Sequence, residues 1–308
     1  MSRTAIKISV IIPTYNRKDD LKRLLESLAE SDINHKEIET IVVDNAGNLE
    51  IAELENSAGD IRVVLERPGK NLFCSGGREY GALKATGDYL FFIDDDNILD
   101  RKCIRLLVGS FDKIPNLGVA APLMLVFKEK DRIWSAGVKL NKLGQPLRLQ
   151  KNESIKNIDM PEFIDDIDCF PNAFMVKRSV FKDAPFDTKN FPHNWSEADF
   201  GQRVKRKGYA RVINTQAIEW HDIDYQGMIT RTDKNKIYDQ SKSRILFRKR
   251  FMNSGKDWAL FTLITFPVST LYYLKSIVST PGGDKLAMIK GYIRGTTDGA
   301  KASIVHDV

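Results

Sequence analysis

Three consecutive acidic residues, Asp94, Asp95 and Asp96, follow a short apolar run at residues 89–93. Adjacent carboxylates repel one another, so a cation is needed to compensate them. Mg²⁺ or Mn²⁺ takes oxygen ligands of this kind and can bridge them to phosphate oxygens. The triplet therefore predicts a divalent-metal site, and a solvated acidic loop is the alternative.

Two glycines precede an arginine in the segment Cys74-Ser75-Gly76-Gly77-Arg78. A glycine turn at a helix start can present backbone N–H groups to an anion, and Arg78 adds a bidentate partner for a phosphate. A plain turn is the alternative. The segment lacks the GxGxxG spacing of dinucleotide-binding proteins, which argues against an NAD-dependent oxidoreductase.

Further candidates lie in the second half of the chain. Glu197 is a candidate general base, since the aromatic residues around it would raise its pKa and hold a ring-shaped substrate. Trp195 and Asp199 are candidates for the acceptor side of the same site. His221 is a candidate further metal ligand. The alternatives are first-turn acids of a helix and a partly buried histidine.

The elements that must position these residues alternate between strands and helices over the first 110 residues or so. Strands are predicted at residues 6–12, 39–43, 61–65 and 89–93. An amphipathic helix follows residue 20, and a second helix is predicted from the Gly76-Gly77 turn to about Thr86. An open parallel α/β sheet binds ligands beyond the carboxyl ends of its strands, where Asp44 and Asp94 stand.

The rest of the chain is less regular. We predict strands at 119–127 and 174–177, a polar loop at 141–159, a helix at 197–208 and a basic helix at 237–251. Residues 258–274 carry no charge, and we expect an interfacial or packed helix there rather than a membrane span.

The net charge of +6 is concentrated in one segment, since residues 201–256 hold 14 basic against five acidic side chains. The remainder is slightly acidic, so a nucleic-acid-binding protein is disfavoured and a one-sided basic patch is expected. Such a patch fits an anionic membrane surface, whereas packing on the catalytic domain or on another subunit is the alternative.

The order and spacing of these segments resemble those of family 2 glycosyltransferases with the GT-A fold, of the type that builds bacterial or archaeal polysaccharides and lipid-linked glycans. The matching segments are 9–17, Asp44-Asn45, the DxD-like Asp94-Asp95-Asp96, 174–178, 186–187, and Glu197 to Asp199 with Arg203 and 208–209. The chain departs from the family pattern at Phe73, Glu79 and Ser196.

The resemblance implies an open, mostly parallel sheet flanked by helices, a catalytic domain over 1–224 (halves 1–115 and 116–224) and a helical region over 225–308. It also implies an inverting, Mn²⁺- or Mg²⁺-dependent transfer from a UDP-, dTDP- or GDP-sugar to a hydroxyl of a glycan or lipid-linked acceptor, at the cytoplasmic face of a membrane. A non-catalytic sugar-nucleotide binder is the alternative, and a homo-oligomer through the C-terminal helices is a further expectation. The implied roles are Glu197 as base, Asp96 and His221 as metal ligands, and donor contacts from Pro13, Thr14, Tyr15, Arg17, Asp44, Arg78, Asp94 and Asp95.

Overall fold

The computed structural model describes residues 7–141, 144–222, 234–252, 254–279 and 284–304. The predicted domain boundary after residue 224 lies outside these ranges, as do Asp224, Arg231 and Asp233 of the basic segment. The strands are β1 (Ile8–Thr14), β2 (Ile38–Asp44), β3 (Arg62–Glu66), β4 (Tyr89–Ile93), β5 (Asn97–Leu99), β6 (Leu117–Val126), β7 (Glu129–Ser135), β8 (Val138–Leu140), β9 (Pro146–Arg148), β10 (Phe163–Ile164), β11 (Ala173–Lys177) and β12 (Ala210–His221). The helices are α1 (Lys18–Ala29), α2 (Ile51–Ala58), α3 (Phe73–Lys84), α4 (Cys103–Lys113), α5 (Arg178–Asp183), α6 (Ser196–Arg206), α7 (Lys234–Phe251), α8 (Gly255–Ser279) and α9 (Lys285–Lys301).

The first four strands form the predicted parallel sheet. β1 pairs in parallel with β2 and β4, and β2 pairs in parallel with β3. β1 and β2 are buried along their whole length because α1 and α4 cover one face of the sheet and α3 covers the other. The carboxyl ends of β1, β2 and β4 consequently meet at one edge.

The second half extends this sheet with mixed pairings, in the order β10-β12-β6-β11-β4-β1-β2-β3. β11 runs antiparallel to β4 and β6, whereas β12 runs parallel to β6. β5 pairs with the end of β12, opposite the acidic triplet. The predicted strands and helices of this half are present, while the segment expected as a polar loop contains the short strand β9, which pairs with β8.

α3 differs from the prediction because it begins at Phe73 and ends at Lys84. Gly76 and Gly77 lie inside its first turns and do not form a turn before the helix. Close packing on β1 explains the glycines: a Cβ at Gly77 would come within 2.8 Å of Pro13 Cβ, and one at Gly81 within 2.5 Å of Ile11 Cγ2. The predicted glycine turn before the helix is therefore wrong.

The C-terminal helices pack against the sheet domain and against each other. α9 lies close to α7, since Cβ atoms at Gly291, Gly295 and Gly299 would meet backbone oxygens of α7 within 3.0 Å. The basic helix is not a solvated patch, because Arg244, Arg248 and Arg250 of α7 are buried. Of the described basic residues in 201–256, five are buried and six are exposed, so the charge surplus of this segment is only partly internal.

α8 contains the uncharged segment 258–274 and includes one π-helical turn, Phe261–Thr265. Within the described residues it is the single helix whose length and composition would allow it to cross a membrane. Only 17% of its most apolar 18-residue stretch is buried. Its 25 residues span roughly 37 Å at 1.5 Å per residue, longer than the 17-residue segment suggested.

Candidate active site

Asp95 lies in the turn between β4 and β5 and is 5% exposed. Its carboxylate accepts hydrogen bonds from Thr14 Oγ1 at 2.7 Å and from Arg17 Nη1 at 3.2 Å. Burial raises the pKa of Asp95 to about 7, against the opposing effects of Arg17 and Thr14. The parallel pairing of β1 with β4 brings Thr14 to this position, since both strands end at the same edge of the sheet.

Asp96 contacts two nitrogen-bearing side chains. Its oxygens lie 3.3 Å from His221 Nε2 and 2.5 Å from Arg17 Nη1. Burial acts to raise the pKa of Asp96, but His221 and Arg17 outweigh it and lower the pKa to about 2. His221 reaches the site because the last residues of β12 pair with β5, which follows the triplet directly.

Asp96 and His221 present an oxygen and a nitrogen ligand to one point, which is a donor set that Mn²⁺ accepts. Asn172 Nδ2 lies 2.9 Å from the same nitrogen, His221 Nε2, and a metal bound by that nitrogen would displace this contact. Among the described residues no group of three or more histidine, cysteine or acidic side chains converges on a metal position. The pair therefore fits a metal whose remaining ligands are water and the phosphate oxygens of a donor.

Asp94 is linked to Glu197 through Arg78. The guanidinium of Arg78 is completely buried, donates to Asp94 Oδ1 at 2.7 Å and forms a short ion pair with Glu197. Phe174 covers it, with the ring centroid 5.6 Å from Arg78 Cζ. Arg78 is thus held by two carboxylates of the protein, in contrast to the expected contact with a diphosphate.

Glu197 stands in the first turn of α6 and also accepts a hydrogen bond from Ser196 Oγ at 2.9 Å. Burial acts to raise its pKa, but the Arg78 charge and the hydrogen bonds outweigh burial, so the pKa of Glu197 lies below its ordinary value. The expectation of a raised pKa was wrong because the sequence did not place Arg78 beside this carboxylate.

The predicted donor-binding residues differ in accessibility. Pro13 and Thr14 are buried, whereas Tyr15 is 52% exposed at the same strand end. Asp44 is 1% exposed, and its oxygens accept backbone N–H groups from Ala46, Gly47 and Leu49. The Asp44 carboxylate thus orders the loop after β2, and this differs from the expected contact with a nucleotide base.

The two acceptor-side candidates, Trp195 and Asp199, both contact residues of α7. Trp195 stacks on Phe247 with ring centroids 4.8 Å apart. Asp199 is fully buried and pairs with Arg203 at 2.8 Å and Arg250 at 2.5 Å, so it joins α6 to α7 and is closed to an acceptor.

Two ionisable residues near the site were not predicted as members of it. Glu219 on β12 is fully buried, and burial with the charges of Asp94 and Asp96 raises its pKa well above the ordinary value. His193 lies with its ring 6.3 Å from that of Phe73, and burial lowers its pKa. Their proximity to Asp94 depends on tertiary packing, and the only local signal was the short run from Glu219 to Asp222.

The sequence profile of a known family, described as glycosyl transferase family 2, matches residues 9–184, more than half of the chain. The chain belongs to glycosyl transferase family 2. An uncharacterized glycosyltransferase of Haemophilus influenzae is 32% identical over 111 residues, which cover 36% of each chain. The Staphylococcus aureus poly(ribitol-phosphate) beta-N-acetylglucosaminyltransferase TarS is 29% identical over 123 residues, 35% of this chain and 19% of TarS. The chain thus aligns with about a third or less of these two relatives.

A solved structure described as GalNAc-T7 with UDP, GalNAc and Mn²⁺ superimposes with a TM-score of 0.66 at 14% identity. The superposition covers 97% of this chain and 57% of the other. The predicted GT-A fold with a C-terminal helical region is therefore confirmed. The family membership predicted from the order of the motifs is likewise confirmed.

Proposed function

We propose that the protein transfers a sugar from a nucleotide-diphosphate sugar to an acceptor hydroxyl, with inversion at the anomeric carbon and with the help of Mn²⁺ or Mg²⁺. One observation carries this proposal: Arg78 joins Asp94 of the DxD-like triplet to Glu197 of α6. The predicted donor-binding residues and the predicted base therefore belong to one site, although they are about 100 residues apart in the chain.

The donor would lie at the ends of β1 and β4. Tyr15 is open to contact the base, and Arg17, with 41% of its side chain exposed, can turn from the carboxylates toward a phosphate. Asp95, which is nearly buried and bonded to Arg17, would contact the ribose once Arg17 has turned away. Asp96 and His221 would hold the metal, which supplies charge neutralisation for the departing diphosphate. The Mn²⁺ and UDP of the GalNAc-T7 structure support this assignment.

Glu197 would take the proton of the acceptor hydroxyl. The acceptor oxygen forms a bond to the anomeric carbon from the face opposite the diphosphate, the bond from that carbon to the phosphate oxygen breaks, and the hydroxyl proton passes to Glu197 and on to solvent. Because Arg78 lowers the pKa of Glu197, the carboxylate is ionised and ready to accept a proton at neutral pH.

The acceptor is proposed to be a glycan or a lipid-linked glycan at the cytoplasmic face of a membrane. TarS, by its name, acts on a poly(ribitol-phosphate) polymer, which supports a polymeric or surface-bound acceptor. A lipid-linked acceptor requires the protein to reach a membrane surface.

Donor-induced stabilisation and donor hydrolysis together test the proposal. Thermal unfolding with Mn²⁺ and a panel of UDP-, dTDP- and GDP-sugars identifies the donor, because a ligand of the folded state raises the unfolding temperature. Hydrolysis of that donor is then measured without acceptor. Glu197→Gln should keep the stabilisation and lose about 10²- to 10⁴-fold in hydrolysis. Asp96→Asn should lose the Mn²⁺-dependent stabilisation, and Glu162→Gln, which alters a surface pair with Lys113, should change neither.

Two results would count against this function. Stabilisation of the wild-type chain without any hydrolysis would favour the non-catalytic sugar-nucleotide binder. Near-normal hydrolysis by Glu197→Gln would show that another group is the base.

A further inference from the structure

The C-terminal helices expose an unusual share of the apolar surface. Nine of the fourteen large apolar side chains that are exposed in the described residues belong to α8 and α9. Leu263 is 75% exposed, Leu271 68%, and Leu286 and Ile293 exceed half. Single exposed apolar residues are common on soluble proteins, but a concentration of them in two neighbouring helices indicates an interaction surface.

On α8 the exposed residues form a continuous row. Ile264, Val268, Leu271, Lys275 and Val278 follow one another at i, i+4, i+7, i+11 and i+14, the spacing of one helix face. All five are exposed. We call this row, together with the adjacent Leu263 of α8 and with Leu286 and Ile293 of α9, the apolar face.

The opposite side of α8 is fixed to the protein. Phe261, Thr265 and Ile277 are buried. Arg244 of α7, 1% exposed, donates to Ser269 of α8 and, at 3.0 Å, to Tyr292 of α9. Detaching α8 would remove the Ser269 hydroxyl from that buried guanidinium, which is costly. The helix is therefore held with its outer side free.

Positive charge surrounds the apolar face. α8 and α9 carry six basic residues against two acidic ones, and all six are exposed: Lys256, Lys275, Lys285, Lys290, Arg294 and Lys301. Trp258 and Tyr272, both exposed, are the aromatic types that favour a membrane–water boundary. Apolar residues combined with basic ones along a helix are the pattern of interfacial membrane binding.

We propose that the apolar face of α8 and α9 docks on an anionic lipid bilayer, with α8 lying in the plane of the interface. In a two-fold dimer the six cations of one copy would face the same six cations of the other. The resulting repulsion disfavours a second copy as the partner of this face. The contacts of Arg244 with Ser269 and Tyr292 oppose a membrane-crossing arrangement. The surface is separate from the active site, and the proposal does not depend on which sugar is transferred.

Vesicle flotation of the full chain tests the proposal, with phosphatidylcholine vesicles that contain or lack phosphatidylglycerol. We expect binding to the anionic vesicles that weakens as salt is raised. Leu263→Ser with Leu271→Ser should lower partitioning about tenfold or more. Lys285→Gln with Lys290→Gln should lower it roughly fivefold per lysine on anionic vesicles alone.

Leu83→Ser is the matched control, since Leu83 of α3 is 77% exposed and belongs to neither α8 nor α9. It should leave partitioning unchanged, and thermal unfolding should show that all variants are folded. The proposal is overturned if the wild-type chain does not bind to anionic vesicles. It is also overturned if the double leucine and double lysine variants bind to them as well as the wild-type chain does. A chain that resists alkaline carbonate extraction, or a dimer in solution that Leu263→Ser with Leu271→Ser dissociates, would also overturn it.

Discussion

Arg78 and Glu197 form an ion pair in which the guanidinium is completely buried and the carboxylate side chain is 18% exposed. The same guanidinium holds Asp94, so one cation sits between the donor half and the acceptor half of the site. Removing it would leave two carboxylates uncompensated in a poorly solvated position. The pair thus sets both the position and the proton affinity of the proposed base.

Arg78→Met is expected to shift the pH dependence of donor hydrolysis. Without the guanidinium, burial dominates and raises the pKa of Glu197, so the acid limb of the pH–rate profile should move upward by about 1 to 3 pH units. In the wild-type protein the pKa of Glu197 lies below 4.5, the ordinary value for a glutamate. Protonation of Glu197 should therefore not lower the rate until the pH falls below 4.5. Arg178→Met is the control, because the Arg178 guanidinium donates to the backbone carbonyl groups of Gly87 and Ala85 and pairs with no carboxylate in the described residues. An unchanged profile in Arg78→Met would remove Glu197 as the titrating base.

Arg17 is expected to compete with the metal for Asp96. Its guanidinium lies 2.5 Å from the Asp96 carboxylate and 3.2 Å from that of Asp95. Arg17→Ala should bind Mn²⁺ more tightly, by roughly tenfold, in the absence of nucleotide, because a nearby positive charge is removed. Electron paramagnetic resonance of free Mn²⁺ measures the affinity. Arg105→Ala, which removes an exposed charge paired with Asp32, should change it little. Equal or weaker binding by Arg17→Ala would mean that Arg17 does not compete.

The sequence predicted the amino-terminal half well because its signals are local. A buried strand followed by acids needs no distant information, and the Asp94–Asp96 triplet lies directly after β4. Arg78 was assigned to a phosphate because its two partners, Asp94 and Glu197, are 16 and 119 residues away. The buried charges of α7 were likewise read as a surface patch, since the partners of Arg250 and Arg244 lie on other elements. The roles of the site residues stay predictions.

Asp44→Asn is expected to weaken the binding of all donors without changing their ranking. The substitution replaces an oxygen that accepts N–H groups of the loop after β2 with an amide donor, at a cost of about 1 to 3 kcal/mol in unfolding free energy. Donor-induced stabilisation by UDP-, dTDP- and GDP-sugars should fall by similar factors. Asp60→Asn, at an exposed position, is the control. A changed order of preference would instead support direct recognition of the base by Asp44.

α7 is expected to be part of the catalytic unit. Arg250 of α7 pairs with Asp199 at 2.5 Å and with Asp187 at 2.6 Å, and Asp199 has no exposed surface. Arg250→Met should lower the free energy of unfolding by about 3 kcal/mol, because it leaves buried carboxylates short of a cation. Urea denaturation with an unchanged slope measures this loss. Arg294→Met, whose pair with Asp298 is exposed, should stay within about 0.5 kcal/mol of wild type. If the two variants unfold with the same free energy, α7 does not stabilise the catalytic unit. A chain that ends at residue 224 should then fold and bind the donor. If Arg250→Met is the less stable variant, that truncated chain should be unfolded.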